Sequence, residues 1–198
     1  RSNRIGIISN GCGFGVLAAD AAVQCGVKIA TLTRNTTEKL HQIFDNPLPM
    51  TNPVDLWADA DPRRIKLAVD ALNKDENVDA ILVVTAPTFA APLDRVCDAI
   101  AYATDASFKP IITAWIGEAQ TIAAKKRLLD HPITVLKSPE TALKAFSWMA
   151  HYAQSRRFLA ATIATESGPL PADVSAVRSI LEKCQKDEDF SLNEEQTK

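Results

Sequence analysis

Arg4-Ile5-Gly6-Ile7-Ile8-Ser9-Asn10-Gly11-Cys12-Gly13-Phe14-Gly15 sets an apolar, β-branched run against a glycine-rich corner. Residues 4–9 read as a strand, and Asn10-Gly11 closes it. The Ala-, Val- and Leu-rich stretch Gly15–Cys25 has no interior Pro or Gly and stops at Gly26, so it reads as a helix. A strand, a tight glycine corner and a helix form the opening unit of a parallel α/β sheet.

The same alternation extends along the chain. Lys28–Thr33 reads as a second strand, and Thr36 or Thr37 can cap a helix that runs through Phe44, with Leu40 and Phe44 one turn apart. Pro47, Pro49 and Pro53 then impose an extended loop ending in Pro53-Val54-Asp55-Leu56. Pro62 after Asp61 suits a first helical turn, and Ile65, Ala68, Val69 and Leu72 make one apolar face. Ala80–Thr85 is continuously apolar, as a strand buried on both faces must be. A helix from Pro92 to Thr104, a strand Pro110–Trp115 ending at Gly117, a helix over 118–130 and a strand Ile133–Leu136 follow. Pro139–Arg157 is a long helix with Leu143, Phe146, Met149 and Ala150 on one side.

Strands separated by helices run parallel, because a crossover helix returns the chain to the same end of the sheet. Five strands in this order predict an α/β, doubly wound, flavodoxin-like five-stranded parallel sheet in a three-layer α/β/α sandwich. Its ligands are expected at the strand C-termini. The domain is expected over 4–157. Residues 158–198 read as a linker, from Ala164 to Pro171, and an amphipathic helix Asp173–Lys186 carrying Val174, Val177, Ile180, Leu181 and Cys184. Ser191-Leu192-Asn193-Glu194 has capping-box spacing and announces a further helix. That box and a first residue other than Met read as a piece of a longer chain.

Composition narrows the function classes. With 198 residues, of which 46% are hydrophobic, a sizeable core is available without metal or disulfide. The 22 basic and 24 acidic residues leave a charge of −2, without the clustered basic excess a nucleic-acid surface needs. Arg63-Arg64, Lys125-Lys126-Arg127 and Arg156-Arg157 read as solvated helix faces. No apolar run approaches the length of a membrane span. Cys12, Cys25, Cys97 and Cys184 include no C-x-x-C pair and read as separate reduced thiols in a cytoplasmic protein.

The chemistry centres on the corner Asn10, Gly11, Cys12, Gly13, Phe14 and Gly15. Glycines there let N–H groups face outward, and a helix N-terminus adds roughly half a positive charge, a combination that binds phosphate. It is not a dinucleotide fingerprint, since Val16 stands where the third glycine belongs and the second strand ends in Thr33-Arg34 rather than an acid. No G-x-x-x-x-G-K-[ST] motif and no G-x-S-x-G turn occur. Cys12 reads as a small structural residue. His41, His131 and His151 lack metal-ligand neighbours, so no metal site is expected. Asp55, Asp59 and Asp61 read as a capping stretch rather than a Mg²⁺ site, Asp61 favouring the helix after Pro62. Thr85, Trp115, Gly117 and Glu118 follow buried strands and are candidates for the site rim by position.

Asn10 to Ala21 resembles the opening of one domain of the NDP-forming acyl-CoA synthetases, which are similar to succinyl-CoA synthetase. Asn52-Pro53-Val54-Asp55-Leu56, Asp79 to Val84, Lys109 to Gly117 and Pro139 to Ala145 resemble that family at matching intervals. The resemblance implies a flavodoxin-like ligase-CoA domain that precedes an ATP-grasp module, to whose lead-in Leu192-Asn193-Glu194-Glu195 is similar. It implies a ligase that forms an acyl phosphate, passes the phosphoryl group to a histidine on a preceding domain and delivers it to a nucleotide. CoA, ATP/ADP and Mg²⁺ would serve the parent enzyme, none held within this domain. CoA-binding and phosphohistidine domains would lie upstream, the ATP-grasp domain downstream, with a homo-oligomer compatible. The family often carries a Gly-Gly-Pro-Gly-type run where this chain has Cys12 and Phe14. A second class stays open, a non-catalytic acyl-CoA-sensing or regulatory domain, as in bacterial protein lysine acetyltransferases that fuse a similar region. A plain assembly role with the corner empty is the third.

Overall fold

The computed structural model describes residues 3–44, 50–89, 91–164 and 174–186. The chain divides into two compact units, residues 1–154 and 155–198. In the first, β1 (Arg4–Ser9), α1 (Cys12–Gln24), β2 (Lys28–Ile29), α2 (Arg34–Phe44), β3 (Val54–Asp55), α3 (Pro62–Asn73) and β4 (Ala80–Thr85) follow one another. Next come α4 (Leu93–Asp105), β5 (Ile111–Trp115), α5 (Glu118–Leu128), β6 (Thr134–Leu136) and α6 (Pro139–Ala164), a helix that continues across the division. The second unit contains α7 (Val174–Lys186), and Asp173 of the expected helix lies outside the described residues. Residues 165–171 of the expected linker and the Ser191–Glu194 box lie outside the described residues, as does Pro47–Pro49 of the proline loop.

All pairings are parallel, in the order β2-β1-β4-β5-β6, with β3 also on β1. This is the doubly wound, flavodoxin-like sheet expected from the sequence, with one addition. Val54-Asp55, expected in an extended loop, forms a sixth short strand. The reason lies along one edge of β1. β2 pairs with Arg4 and Ile5, whereas β3 pairs with Ile8 and Ser9. Between them the Asn52 side chain replaces the ladder: its Oδ1 accepts from Ile7 N at 2.8 Å, and its Nδ2 donates to Ile5 O at 2.8 Å and Ala30 O at 2.9 Å. The second strand therefore stops at Ile29 rather than Thr33.

Alternation along the buried strands sorts the core into two layers. Ile5, Ile7, Leu82, Val84, Ile112 and Ala114 face α1 and α6, meeting Ala18, Ala22, Leu143 and Phe146. Ile8, Ile81, Val83, Ile111 and Trp115 face the other way, among Leu40, Ile65, Leu72, Cys97 and Leu128 from α2 to α5. Close approach on that second face excludes a side chain at position 6, where a Cβ would lie 2.7 Å from Leu72 Cδ2. Burial pushes the Cys97 thiol up to about 11, which keeps it protonated and inert at neutral pH.

The cap of α2 is Thr33 rather than Thr36 or Thr37. Its Oγ1 accepts from Thr36 N at 3.4 Å, and Asp75 Oδ2 accepts from Thr33 N at 2.8 Å. Asp75 is itself buried. Burial pushes its carboxyl pKa up, but hydrogen bonds from the Thr36 hydroxyl, the Thr33 and Asn77 N–H groups and the Thr33 hydroxyl outweigh this, and the pKa falls below its ordinary value. A carboxylate at a helix N-terminus is favoured for the same electrostatic reason.

Two outcomes are expected. Asn52→Ala removes the acceptor of Ile7 N and the donor to Ala30 O, leaves Ile5 O with Ala30 N alone, and lowers stability by about 1–3 kcal/mol in urea unfolding. Because the native pKa of Asp75 is depressed, its contribution is complete above the unfolded-chain value near 4. It declines as the pH falls below that value and is gone once the pH is below the native pKa. The stability gap between wild type and Asp75→Asn, read by thermal unfolding, therefore narrows on acidification below about pH 4.

Candidate functional site

The first β-to-α corner is held at both ends. Asn10 is buried, and its Oδ1 accepts from Ala86 N at 2.9 Å while its Nδ2 donates to Ala86 O at 2.7 Å. That clasp ties the end of β1 to the chain leaving β4. The Ser9 hydroxyl donates to Gly11 O at 3.1 Å, and Leu56 N donates to Ser9 O at 2.8 Å, bringing the end of β3 alongside.

The glycine-rich segment is the first turn of α1 rather than a loop leading to a helix that begins at Gly15. Gly11 is the N-cap, in ordinary extended conformation, and no side chain caps the helix. Phe14 N and Gly15 N donate back to Gly11 O at 3.0 and 3.3 Å. The N–H groups of Cys12 and Gly13 precede any intrahelical acceptor, and both residues are exposed. The first turn contains no acidic residue, so the positive end of the helix dipole has no local counter-charge.

These glycines serve space rather than torsion, since only Gly26 and Gly117 have positive φ among the described glycines. A Cβ on Gly15 would lie 3.0 Å from Ser9 Oγ and 3.3 Å from Pro53 Cβ, so the loop through Asn52-Pro53 seats against the helix there. A Cβ on Gly13 would meet nothing within 4 Å. The space in front of Cys12 and Gly13 is open, and the Phe14 ring is half-buried behind Gly11.

The rim candidates separate. Thr85 is buried and its carbonyl accepts from Ile116 N at 2.9 Å, next to the Asn10 clasp. Trp115 turns its ring into the opposite core layer, among α4 and α5. Gly117 is exposed and caps α5 at φ 92°, a conformation that favours glycine. Glu118 opens α5, and its side chain lies outside the described residues. Asp61 caps α3 through Arg64 N at 2.7 Å, Asp59 pairs with Arg64 at 2.9 Å and Asp55 Oδ1 accepts from Trp57 N at 2.9 Å. The three aspartates thus take separate structural roles. Among the described residues no group of His, Cys, Asp and Glu could hold a metal ion. The four cysteines are free, Cys12 exposed. No helix among the described residues is long and apolar enough to cross a membrane.

The sequence reading missed Asn52, although an Asn before the last proline of the loop is the only signal it could have offered.

A parallel doubly wound sheet with an uncapped, glycine-rich helix start at its strand C-termini defines a flavodoxin-like domain. No family model matches the chain. It is 35% identical over 155 residues to the acetate–CoA ligase [ADP-forming] of Methanocaldococcus jannaschii, across 76% of this chain and 22% of that protein. Among solved structures, PH0766 from Pyrococcus horikoshii OT3 superposes with TM-score 0.73 at 29% identity, covering 78% of this chain and 36% of that one. The dinucleotide-forming acetyl-coenzyme A synthetase 1 of Ca. Korarchaeum cryptofilum, in complex with phosphate and ADP, shares the fold with TM-score 0.75 at 22% identity, covering 84% and 36%. The chain is a homologue of the ADP-forming acetate–CoA ligases. It spans about a fifth of the length of the curated relatives it matches first, 22% in each case.

The two corner glycines give a paired test of the geometry. Gly13→Ala adds helix propensity into open space and raises stability by about 0.5 kcal/mol. Gly15→Ala crowds Ser9 and Pro53 and lowers it by about 1–3 kcal/mol. Urea unfolding midpoints read both.

Proposed function

We propose that this chain is one domain of an ADP-forming acyl-CoA ligase, and that residues 10–15 hold a phosphoryl group in transit. The observation that supports this reading is the start of α1: exposed Cys12 and Gly13 N–H groups, no side-chain cap, no acid in the first turn and open space before Gly13. Phosphoryl transfer spreads negative charge over oxygens that the protein need only position and neutralise. Amide hydrogens already fixed in direction do this without reorganising at the moment of reaction.

In this reading the corner forms no covalent bond. The phosphoryl group leaves an acyl phosphate for a histidine of a preceding domain, and then passes from that histidine to ADP in an ATP-grasp domain. The helix end stabilises the charge while the group is carried. CoA, nucleotide and Mg²⁺ would be bound by the other domains. Val16, Leu17 and Val23 leave the outer side of α1 apolar and exposed, which suits a helix that docks against another domain beside its N-terminus. The short span of the chain relative to its relatives agrees with further domains or subunits.

In the whole ligase, Gly13→Val is expected to lower kcat by about 100-fold, since a branched side chain bars the anion from the amides. The unfolding midpoint of the domain should stay within about 0.5 kcal/mol of wild type. Unaltered kinetics would remove the corner from the site and leave a scaffold or an acyl-CoA-sensing module. After turnover with radiolabelled phosphate, peptide mapping should find no label on His41, His131 or His151.

A further inference from the structure

Asn10 stands first in the corner, yet its side chain is turned to a segment far along the chain. Asn10 N donates to Val84 O at 3.4 Å and continues the ladder between β1 and β4. Beyond that bond the side chain takes over. Asn10 Oδ1 accepts from Ala86 N at 2.9 Å, and Asn10 Nδ2 donates to Ala86 O at 2.7 Å. Exchanging the amide oxygen and nitrogen would set donor against donor, so the partners fix which atom is which. Aspartate lacks the donor and serine reaches one of the two groups, so the pair of bonds asks for a short side-chain amide.

Both ends of that amide are committed to one residue, and Asn10 is only 8% exposed. Ala86 is itself held in place. Ile116 N donates to Thr85 O at 2.9 Å, and a Cβ on Gly117 would lie 3.4 Å from Pro87 Cδ. On the other side of Asn10, Gly11 O accepts from the Ser9 hydroxyl and from the N–H groups of Phe14 and Gly15. The first turn of α1 is thus tied through one asparagine to the turns that follow β4 and β5.

We propose, on the reading of residues 10–15 as the segment that binds the phosphoryl group, that Asn10 is its positioning residue. It acts through Ala86 and not on the anion, and it keeps the Cys12 and Gly13 N–H groups in the direction an oxyanion needs. Groups that stabilise transferring charge lose most of their effect when displaced by about 1 Å. Linkage gives the sign of the coupling. If opening the clasp weakens the anion, the anion must tighten the clasp by the same factor. An Asn10 that turned its amide to the ion would loosen the clasp instead.

The test is amide hydrogen exchange and NMR titration of the ¹⁵N-labelled chain, with inorganic phosphate as probe and sodium chloride at equal ionic strength as reference. The Cys12 and Gly13 amides are expected to shift saturably with phosphate, with a Kd in the millimolar range. At saturation the Ala86 N–H should exchange about tenfold more slowly than in chloride, a measurement that needs no variant. Asn10→Ala should raise the phosphate Kd by about tenfold, and Ala86→Pro, which removes the donor from the other side, should do the same. The double variant should lose no more than either single one, since both break one interaction. Each variant is read with its amide spectrum retained outside residues 9–16 and 84–92. Ala86 exchange that is unchanged or faster in phosphate overturns the proposal and leaves the corner as a binding site. So does a Kd within about twofold of wild type in Asn10→Ala, or one raised there but not in Ala86→Pro. Cys12 and Gly13 amides that ignore phosphate in the wild-type chain remove the corner itself, and the role of Asn10 with it.

Discussion

Parallel pairing of β1 with β4 is the constraint on which the rest depends. Once these two strands run the same way, each must be left and re-entered by a helix, and the ends of both strands lie on one edge of the sheet. The turns that follow β1 and β4 then sit side by side, close enough for one asparagine to bond both main-chain groups of Ala86. That clasp fixes where α1 begins. The direction of its first N–H groups is therefore a property of the sheet, not of the glycine segment alone.

The edge of β1 shows how a side chain can take the place of a strand. Neither β2 nor β3 is long enough to cover that edge, and each occupies one end of it. Ile7 N and Ala30 O would be stranded there without Asn52, whose amide offers one acceptor and two donors and bonds Ile5 O as well. The same loop then presses Pro53 against Gly15. A single excursion of the chain thus completes the sheet and seats the helix whose N-terminus forms the corner.

The two faces of the sheet carry different electrostatics. On the α1 side the positive charge is a helix dipole with open space before it. On the α5 side Lys125 and Lys137 line a cavity that Trp115 and Gly117 also border. The two features are built from unrelated groups. Homology to the ADP-forming acetate–CoA ligases gives the first a chemical context.

Much of the fold was legible because apolar runs such as Ala80–Thr85, separated by helices with their own caps, leave few arrangements of a chain. The helix starting at Pro62 under an Asp61 cap was readable for the same reason, since both signals are local. What escaped was whatever depends on partners far along the chain. Thr33 caps α2 because Asp75 is beside it, and Val54-Asp55 is a strand because β2 ends early. Sequence alone determined the order and type of the elements other than β3, because hydrogen-bonding period and side-chain burial act over a few residues. Tertiary structure decided which N–H groups remain unpaired and which charges converge, because those depend on what distant segments bring into contact.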